Sequence, residues 1–477
     1  MTVRRLVLAV VVLWTAYTTG ASSQAPQSQA PGLFSGYEVV TFKLTAPFNE
    51  LFERATRRED EDYSVLGTLA YKAGGQERTI EKVEVSLRGH TSRATTECTF
   101  PKLKLKFSAE SAVDGSPFAG TASLKIGTHC GESNDGTVTA KYGRLPHEAS
   151  PHREAFVYRL LDAVGIPTLK ARPARITYVY ADAEPGQTPD QRQPIERNAM
   201  LLENTDSLIA RLGGVREIEE KAFGNARDQF TALDTATLAL AEAMIGNFDW
   251  CLKMTPTDAY RCDARHPLWN IIAVAGSDGK LRPAPYDFDV SGMVAGRHRW
   301  FADVYNEAFV SSKSHPAVEV LGQVQRTRSL VGRADLDAAR AKFIDKKKAA
   351  YDTLAAATLD DGGRQIAKQY LDSFFEAIGS DEAFYLPVVV APKALPYADS
   401  AKTKPVCAAQ GAIPVGTTVS EPAETNGSMM KVVLLDTQWR WAPPTKCDAV
   451  HTAPVWIDST AVSRDYPAAT VKPTARR

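Results

Sequence analysis

Near the middle of the chain lies the stretch Pro285-Tyr286-Asp287-Phe288-Asp289-Val290-Ser291-Gly292. Its two carboxylates stand in a short apolar run, where an ionised group is costly unless a metal ion or hydrogen bonds compensate it. Upstream, Gly246-Asn247-Phe248-Asp249-Trp250 has the same character, and Asn270 follows in an apolar, strand-like run. The order Asp, Asn, Asp suits phosphoryl transfer, in which one carboxylate positions a hydroxyl while an amide and a second carboxylate hold Mg²⁺. An alternative stays open in which Asp249 caps a helix and Asp287 opens a turn, because aspartate favours both positions.

The residue pattern differs between the two ends of the chain. Most segments before residue 206 alternate between apolar and polar residues or are rich in β-branched residues, which predicts strands. The predicted strands are 37–44, 83–88, 103–107, 122–126, 174–180 and 199–202. One helix at 152–165 interrupts them, and helices are predicted to dominate at 206–245, 334–357 and 363–378. A strand-rich part followed by a helix-rich part predicts an α+β fold with a cleft between its two parts.

The N-terminus has the layout of a secretory signal peptide. Two arginines precede an apolar run at 6–14, and the small residues at 21–23 suit a cleavage site. The apolar run is too short for a comfortable membrane span, and no later segment approaches the length that a span needs. We therefore predict a signal peptide at 1–23, a linker at 24–36, and a secreted or periplasmic protein without a transmembrane segment after cleavage.

The chain has six cysteines, an even number that suits an exported protein with disulfides. Pairing in sequence order is the most economical arrangement, although the sequence alone does not determine the pairing. The pairs would be Cys98–Cys130, Cys251–Cys262 and Cys407–Cys447. Zinc binding is disfavoured because no two cysteines are separated by only two residues.

Length and charge narrow the class of protein. With 477 residues, of which 44% are hydrophobic, the chain can bury a large core and form two or three domains. Lysine plus arginine number 56, as do aspartate plus glutamate. This balance argues against a nucleic-acid partner that is bound through bulk positive charge.

Five motifs occur in one order along the chain. They lie at 88–93, 104–107, 153–160, 247–249 and 287–289. The ordered set resembles the spore-coat protein H (CotH) kinase family, which consists of secreted atypical kinases with a protein-kinase-like fold. The resemblance covers about residues 37–300, and the helices predicted up to about residue 385 are compatible with it. It implies a two-lobed fold, with a strand-rich lobe at 37–205 and a helical lobe at 206–385.

The resemblance implies a role for each polar residue of the two stretches. Asp249 would be the catalytic carboxylate that orients the acceptor hydroxyl or takes its proton. Asp287 would act through the metal that it binds, with Asn270 as the second-metal amide and Asp289 as a further ligand or a support of the loop. The sequence departs from the kinase pattern because residues 251–269 separate Asp249 from Asn270. A disulfide within that insertion could fold it into a loop; otherwise, Asn270 is an ordinary strand residue.

The resemblance also implies a phosphate-anchoring lysine that pairs with a helix glutamate. Lys125 lies on the last predicted strand before the helix that bears Glu154, so Lys125 is our first choice, and Lys104 is the second. Either could instead be a solvated lysine on a strand face, and Glu154 a first-turn carboxylate. Arg88 and the residues after it could line the phosphates of ATP, and an adenine could meet backbone groups of 200–203.

The tail is predicted to be a separate unit. Residues 386–404 are rich in proline and alanine, which predicts a linker. Residues 405–477 resemble a bacterial Src-homology-3-like β-barrel. Trp439, Trp441 and Trp456 could form its core or bind a peptide or glycan. We expect this unit to be separable from the rest of the protein.

Three functions are compatible with these residues. The leading hypothesis is an exported kinase that transfers phosphate from ATP to a hydroxyl group, on an unknown exported protein acceptor, with Mg²⁺. The alternative is a catalytically inactive kinase-like protein that binds or scaffolds in the cell envelope, because ATP is scarce outside the cytoplasm. A third is a metal-dependent phosphohydrolase, since aspartates with an asparagine also bind two metal ions.

Overall fold

The computed structural model describes residues 32–466 with several gaps. The gaps are 56, 58–61, 109–112, 114, 183–192, 227–228, 253–267, 298–306, 312, 408–410, 436–449 and 451–452. The predicted signal peptide and most of the predicted linker at 24–36 therefore lie outside the described residues. The same holds for Trp439, Trp441, Cys262 and Cys447.

Seven strands of the N-terminal part close into a barrel. They are β1 Val40–Ala46, β2 Ser64–Ala73, β3 Gln76–Leu87, β4 Leu103–Lys106, β5 Ser123–Gly127, β6 Ala171–Tyr180 and β7 Ile195–Leu202. The order around the barrel is β1-β2-β3-β4-β5-β7-β6. The parallel pairing of β1 with β6 closes the ring, and the other neighbours are antiparallel. Helix α1 (Phe48–Ala55) follows β1.

The alternation of apolar residues explains why these segments form a barrel. Val83, Val85 and Leu87 of β3 are buried, and the residues between them are half-buried. Leu103 and Leu105 of β4 also alternate, here with exposed lysines, and they face the same core. The predicted strands are confirmed with shifted ends, because the strand predicted at 37–44 begins later and the one predicted at 83–88 is the end of the longer β3.

Helix α2 (Ser150–Ala163) lies between the barrel and the helical part. Pro151 stands in its first turn, where the missing N–H of proline breaks no helical hydrogen bond. The helix is buried around most of its circumference, because β6 and β7 pack on one side and helices of the helical part pack on the other. The predicted helix at 152–165 is confirmed, shifted by two residues at each end.

The chain between 205 and 385 forms helices and two small sheets. The helices are α3 Thr205–Arg211, α4 Glu220–Ala226, α5 Ala232–Met244, α6 Gly292–Ala295, α7 Glu307–Val310, α8 His315–Thr327, α9 Arg333–Asp345, α10 Lys347–Ala355, α11 Asp361–Ala377 and α12 Asp381–Phe384. The strands are β8 Gly214–Ile218, β9 Cys251–Leu252, β10 Leu268–Trp269, β11 Ile271–Gly276 and β12 Leu281–Pro285. The stretch predicted as mainly helical at 206–245 thus contains β8, which pairs with β11 as the outer strand of a three-stranded sheet. The helix predicted at 334–357 is two helices that meet at Lys346.

The residues from Leu386 onwards form a small β unit, here called the C-terminal unit (386–466). Its strands are β13 Val388–Val389, β14 Glu424–Asn426, β15 Met429–Val432, β16 Val455–Asp458 and β17 Val462–Ser463. The segment 386–404, predicted as a linker, belongs to this unit instead, because β13 pairs with β17 and both of its valines are fully buried. Trp456 is half-buried in β16, and the Src-homology-3-like assignment stays a prediction.

The fold class is α+β, as predicted. Cys98 and Cys130 are joined by a disulfide, as predicted. Cys251 and Cys407 are also disulfide-bonded, and the partners predicted for them lie outside the described residues. Across the described ranges, no helix combines the length and the apolar character that a membrane span requires.

Candidate functional site between the barrel and the helical part

The stretches that carry Asp249 and Asp287 are bonded directly to each other. The Gly292 amide donates to the Gly246 carbonyl oxygen at 2.9 Å, and the Met293 amide donates to the Ile245 carbonyl oxygen at 3.1 Å. Tyr370 of α11 lies against both glycines. A Cβ atom at Gly292 would lie 1.9 Å from the Tyr370 hydroxyl oxygen, and one at Gly246 would lie 2.3 Å from the Tyr370 ring. Both positions therefore require glycine if the two stretches are to stay in contact.

Asn270 lies beside Asp249. Its Nδ2 donates to the Asp249 carbonyl oxygen at 2.6 Å and to Asp249 Oδ2 at 3.1 Å. The antiparallel pairing of β9 with β10 brings Asn270 there, because Trp269 is opposite Cys251 in register. The chain therefore returns to Asp249 after the insertion. The amide nitrogen of Asn270 is committed to Asp249, so its oxygen is the atom that could bind a cation.

Asp287 lies two residues after the end of β12, close to Asn270. Both residues have a left-handed backbone, with φ of 64° at Asp287 and 53° at Asn270. Asparagine and aspartate tolerate this conformation better than most residues, and such positions cluster at functional sites. The Tyr286 amide donates to the Asn270 carbonyl oxygen at 3.0 Å, and the Asp287 amide donates to the Tyr158 hydroxyl of α2 at 2.8 Å. Asp287 is thus held between the β11–β12 pair and α2.

Lys102, which directly precedes β4, links the barrel to this stretch. Its Nζ lies 2.6 Å from Asp287 Oδ1 and 2.8 Å from Asp289 Oδ2, and its side chain is only 7% exposed. Burial alone would lower the pKa of Lys102, but the two carboxylates outweigh burial and raise that pKa above its ordinary value. The barrel therefore supplies a permanent buried cation to the two aspartates.

Lys102 has no local sequence signal that distinguishes it from Lys104 and Lys106. All three alternate with apolar residues, a pattern that predicts a solvated strand face. The lysine side chains on that face differ in solvent exposure. Lys106 is 63% exposed and lies 3.7 Å from Glu84, whereas Lys102 is buried against the Asp287 stretch. Only the tertiary contact identifies Lys102 as a site residue.

Arg144 supplies a second cation, also missed from the sequence. Its Nε lies 2.8 Å from Asp289 Oδ2, its Nη2 donates to Thr91 Oγ1 at 2.7 Å, and its Nη1 lies 3.6 Å from Glu97 Oε2. Burial alone would raise the pKa of Asp289, but Arg144 and Lys102 outweigh burial and hold that pKa well below its usual range. Asp289 is thus ionised and fixed by two cations, an arrangement that suits a support of the loop.

Glu154 of α2 is buried close to these charges. It is 4% exposed, and its Oε1 has no hydrogen-bond partner among the described residues. Burial raises the pKa of Glu154 to about 7, and the nearby Lys102 opposes that shift. Asp289 Oδ1 is likewise buried without a partner in the described part of the chain. Two buried carboxylate oxygens without partners are unusual, and they indicate that a further cation or donor could bind here.

Lys125 and Lys104, the two lysines singled out from the sequence, do not contact Asp287. They are opposite each other in register on β5 and β4, and Lys104 is exposed. Lys125 Nζ donates to Thr205 Oγ1 at 3.3 Å. Burial, followed by the charge of Arg88, lowers the pKa of Lys125 to about 8. The structure therefore brings Lys125, Lys104 and Arg88 into one cationic patch, and Arg88 also influences Lys102.

The oxygen atoms of the site fit Mg²⁺ in part. Within the described ranges, no three His, Cys, Asp or Glu side chains are grouped so as to hold a metal ion. Asp287, Asp289 and Asn270 offer carboxylate and amide oxygens, the ligand types that Mg²⁺ prefers, and Asp289 Oδ1 is without a partner among the described residues. These residues could hold a metal ion whose remaining ligands come from phosphates and water.

Comparisons with known proteins do not assign this chain to a family. No known protein family matches the chain, and no curated protein matches it. Among solved structures, a crystal structure of a Helicobacter pylori proinflammatory kinase, CtkA, is similar over 59% of this chain and 92% of that chain, with 10% identity and a TM-score of 0.30. A similarity at this level shows neither fold nor activity. The resemblances to the spore-coat protein H kinase family and to a Src-homology-3-like domain therefore stay predictions.

Proposed function

We propose that the protein is an exported kinase-like enzyme that transfers phosphate from ATP to a hydroxyl group of an exported protein, with Mg²⁺ as its cofactor. The observation that carries this proposal is the contact of Lys102 with Asp287, at 2.6 Å, beside Asp249 and Asn270. A lysine next to a carboxylate at the end of a strand suits a triphosphate and its metal ion. The lysine neutralises phosphate oxygens, and the carboxylate binds the ion.

Each side chain of the site would have its own role in such a reaction. Asp287, Asp289 and Asn270 would hold Mg²⁺, which neutralises charge on the phosphates when it is bound. Lys102 would exchange its contact with Asp287 for phosphate oxygens. Asp249 would orient the acceptor hydroxyl and take its proton. Asn270 Nδ2, which donates to Asp249 Oδ2 at 3.1 Å, would hold the carboxylate in position.

The remaining residues would serve the nucleotide. The cationic patch of Lys125, Lys104 and Arg88 would bind the phosphates farther from the reacting group, since its charges repel one another without an anion. Glu154 would pair with Lys102 once Asp287 has turned to the metal ion. The two-lobed kinase-like fold predicted from the resemblance belongs to the same proposal.

A second candidate is a catalytically inactive kinase-like protein that binds or scaffolds in the cell envelope. Lys102 and Arg144 already compensate the charges of Asp287 and Asp289, at distances of 2.6 to 2.8 Å. Neither carboxylate therefore needs a metal ion for charge balance. The scarcity of ATP outside the cytoplasm favours the same candidate.

Calorimetric titration with ATP and Mg²⁺ tests the proposal on the wild type, Lys102→Met and Lys106→Met. Lys106 is the matched control because it lies on the same strand face but is 63% exposed. We expect Lys102→Met to lose binding by more than about tenfold, as for the loss of a charge-assisted contact to phosphate. Lys106→Met should bind like the wild type.

Product analysis then separates the candidate functions. With labelled ATP, a kinase transfers the label to a protein acceptor, whereas a phosphohydrolase releases it as inorganic phosphate. Binding without either product supports the inactive candidate. A wild type that binds no nucleotide with Mg²⁺ would refute the kinase proposal.

A further inference from the structure

The loop at 246–249, here called the Asp249 loop, is held from several directions. Gly246 is bonded to the Asp287 stretch, as described above. Asn247 Nδ2 donates to Glu242 Oε2 of α5 at 2.9 Å. Phe248 lies between these contacts and Asp249, and it is fully buried. Its surroundings therefore decide what else holds the loop.

Phe248 belongs to an apolar cluster that spans two parts of the protein. Phe309 of α7 and Val318 of α8 come from the helical part, whereas Leu386 and Leu435 come from the C-terminal unit. All five side chains are less than a tenth exposed. The ring next to Asp249 thus shares one buried apolar cluster with side chains of the C-terminal unit.

Arg328, which follows α8, fastens the two parts together. It is 2% exposed, and its guanidinium donates to the carbonyl oxygens of Leu386 and Arg464, each at 2.5 Å. Arg464 in turn donates to the Tyr385 carbonyl oxygen at 2.8 Å. The bonds of Arg328 are charge-assisted and buried, so that losing them would leave a buried guanidinium poorly compensated. They fix the C-terminal unit against the same helix that carries Val318.

We propose that the C-terminal unit supports the Asp249 loop, so that Leu386 and Leu435 position the Asp249 carboxylate through Phe248. Phe248 and Asp249 share a planar, stiff peptide unit, so a displaced ring displaces the Asp249 backbone. The Asp249 amide donates to Asn247 Oδ1 at 3.0 Å, a bond that the same displacement would break. A ligand or substitution that shifts Leu435 therefore changes the site from a distance. This inference does not depend on which reaction the site performs.

Two adjacent leucines give a matched test. Leu434 is 1% exposed in the core of the C-terminal unit, and Leu435 is 2% exposed in the cluster around Phe248. Leu434→Ala and Leu435→Ala remove the same atoms at neighbouring positions. We would measure amide hydrogen exchange in the full chain for the loop peptide 245–250 and for the unit's own strands at 429–432 and 455–458.

Leu435→Ala should accelerate exchange at 245–250 by about tenfold or more, the scale expected when a buried leucine contact is lost locally. Leu434→Ala should accelerate exchange in the strands of the C-terminal unit and change the loop less. Leu435→Met, which nearly conserves volume, should restore the wild-type rate at 245–250. In the double variant with Phe248→Leu, the acceleration should be smaller than the product of the single effects, because both changes loosen the same cluster.

Several outcomes would overturn the proposal. One is wild-type exchange at 245–250 in Leu435→Ala. Another is an equal acceleration of the loop by Leu434→Ala, which would mean that the loop depends on the general stability of the unit and not on the cluster around Phe248. Multiplicative single effects in the double variant would also contradict it.

Discussion

Replacement of Lys102 by methionine removes the cation between Asp287 and Asp289 and keeps most of the buried volume. Loss of one partner of a buried ion pair costs about 3–5 kcal/mol, because the other charge stays buried without compensation. Two features place Lys102→Met at the low end of that range. Asp287 is 29% exposed and can gain some hydration, and Asp289 keeps Arg144 at 2.8 Å. We therefore expect a loss of about 3 kcal/mol in the free energy of unfolding.

The assay is urea and thermal unfolding at neutral pH, followed by circular dichroism. A loss of about 3 kcal/mol corresponds to a midpoint lower by about 6–12 °C for a unit of 150–250 residues. Lys106→Met is the control, because Lys106 is 63% exposed and lies 3.7 Å from a partly exposed Glu84. A surface pair of this kind contributes at most about 1 kcal/mol, so the control should stay close to the wild type.

The reasoning would be refuted if Lys102→Met and Lys106→Met had the same stability. That result would mean that Asp287 and Asp289 do not depend on Lys102. A stable Lys102→Met protein that loses ATP binding would be a different result. It would separate the role of Lys102 toward phosphate from its role in the fold.

Three further predictions follow from the same site. Asp287→Asn should abolish Mg²⁺-dependent ATP binding in calorimetry, whereas Asp249→Asn should bind ATP and fail in transfer. The reason is that one carboxylate holds the metal ion and the other acts on the acceptor. Equal ATP binding by Asp287→Asn and the wild type would contradict the metal role. Burial raises the pKa of Glu242 to about 8, so the neutral form is favoured in the folded state. The wild type should therefore lose stability as the pH rises from about 4.5 towards 8, by up to about 1.4 kcal/mol per pH unit for this group. In urea unfolding between pH 5 and pH 9, Glu242→Gln should reduce the slope, most clearly between pH 7 and pH 8, above the pKa of about 7 of Glu154. Gly292→Ala should destabilise the protein by about 2–3 kcal/mol in the same assay, since its Cβ would lie 1.9 Å from the Tyr370 hydroxyl oxygen. Gly332→Ala should have little effect, because among the described residues its Cβ would have only its chain neighbours within 4 Å.

The sequence predicted those features that depend on local pattern. The strands around Val85 and Leu105 follow from alternation, and α2 follows from apolar residues at helical spacing after Pro151. The position of Asn270 was left open by the sequence, which would return it to Asp249 only if a disulfide folded the insertion into a loop. The structure places Asn270 beside Asp249 through the pairing of β9 with β10.

Other features depend on contacts between distant segments, and local pattern could not reveal them. Lys102 and Arg144 lie among ordinary polar residues in the sequence, and only the fold places them against Asp289. Strand β8 lies in a stretch with helical composition, and it forms because β11 offers an edge to pair with. The proline- and alanine-rich segment 386–404 has the composition of a linker, yet the pairing of β13 with β17 makes it part of a buried unit.

Residues of the Asp249 loop can affect activity without contacting a substrate. Gly246 has no side chain because Tyr370 fills that space, and Asn247 joins the loop to α5. Phe248 fills space in an apolar cluster that it shares with the C-terminal unit. Position 248 therefore requires a large apolar side chain and not a reactive group. Only Asp249 offers a reactive group. A change at any of the first three positions would therefore reduce activity through the position of Asp249, and loss of activity alone cannot identify a residue that contacts the substrate. Exchange rates at the loop, measured together with turnover, distinguish the two cases, because a positioning residue changes both loop protection and turnover, whereas Asp249→Asn should change turnover alone.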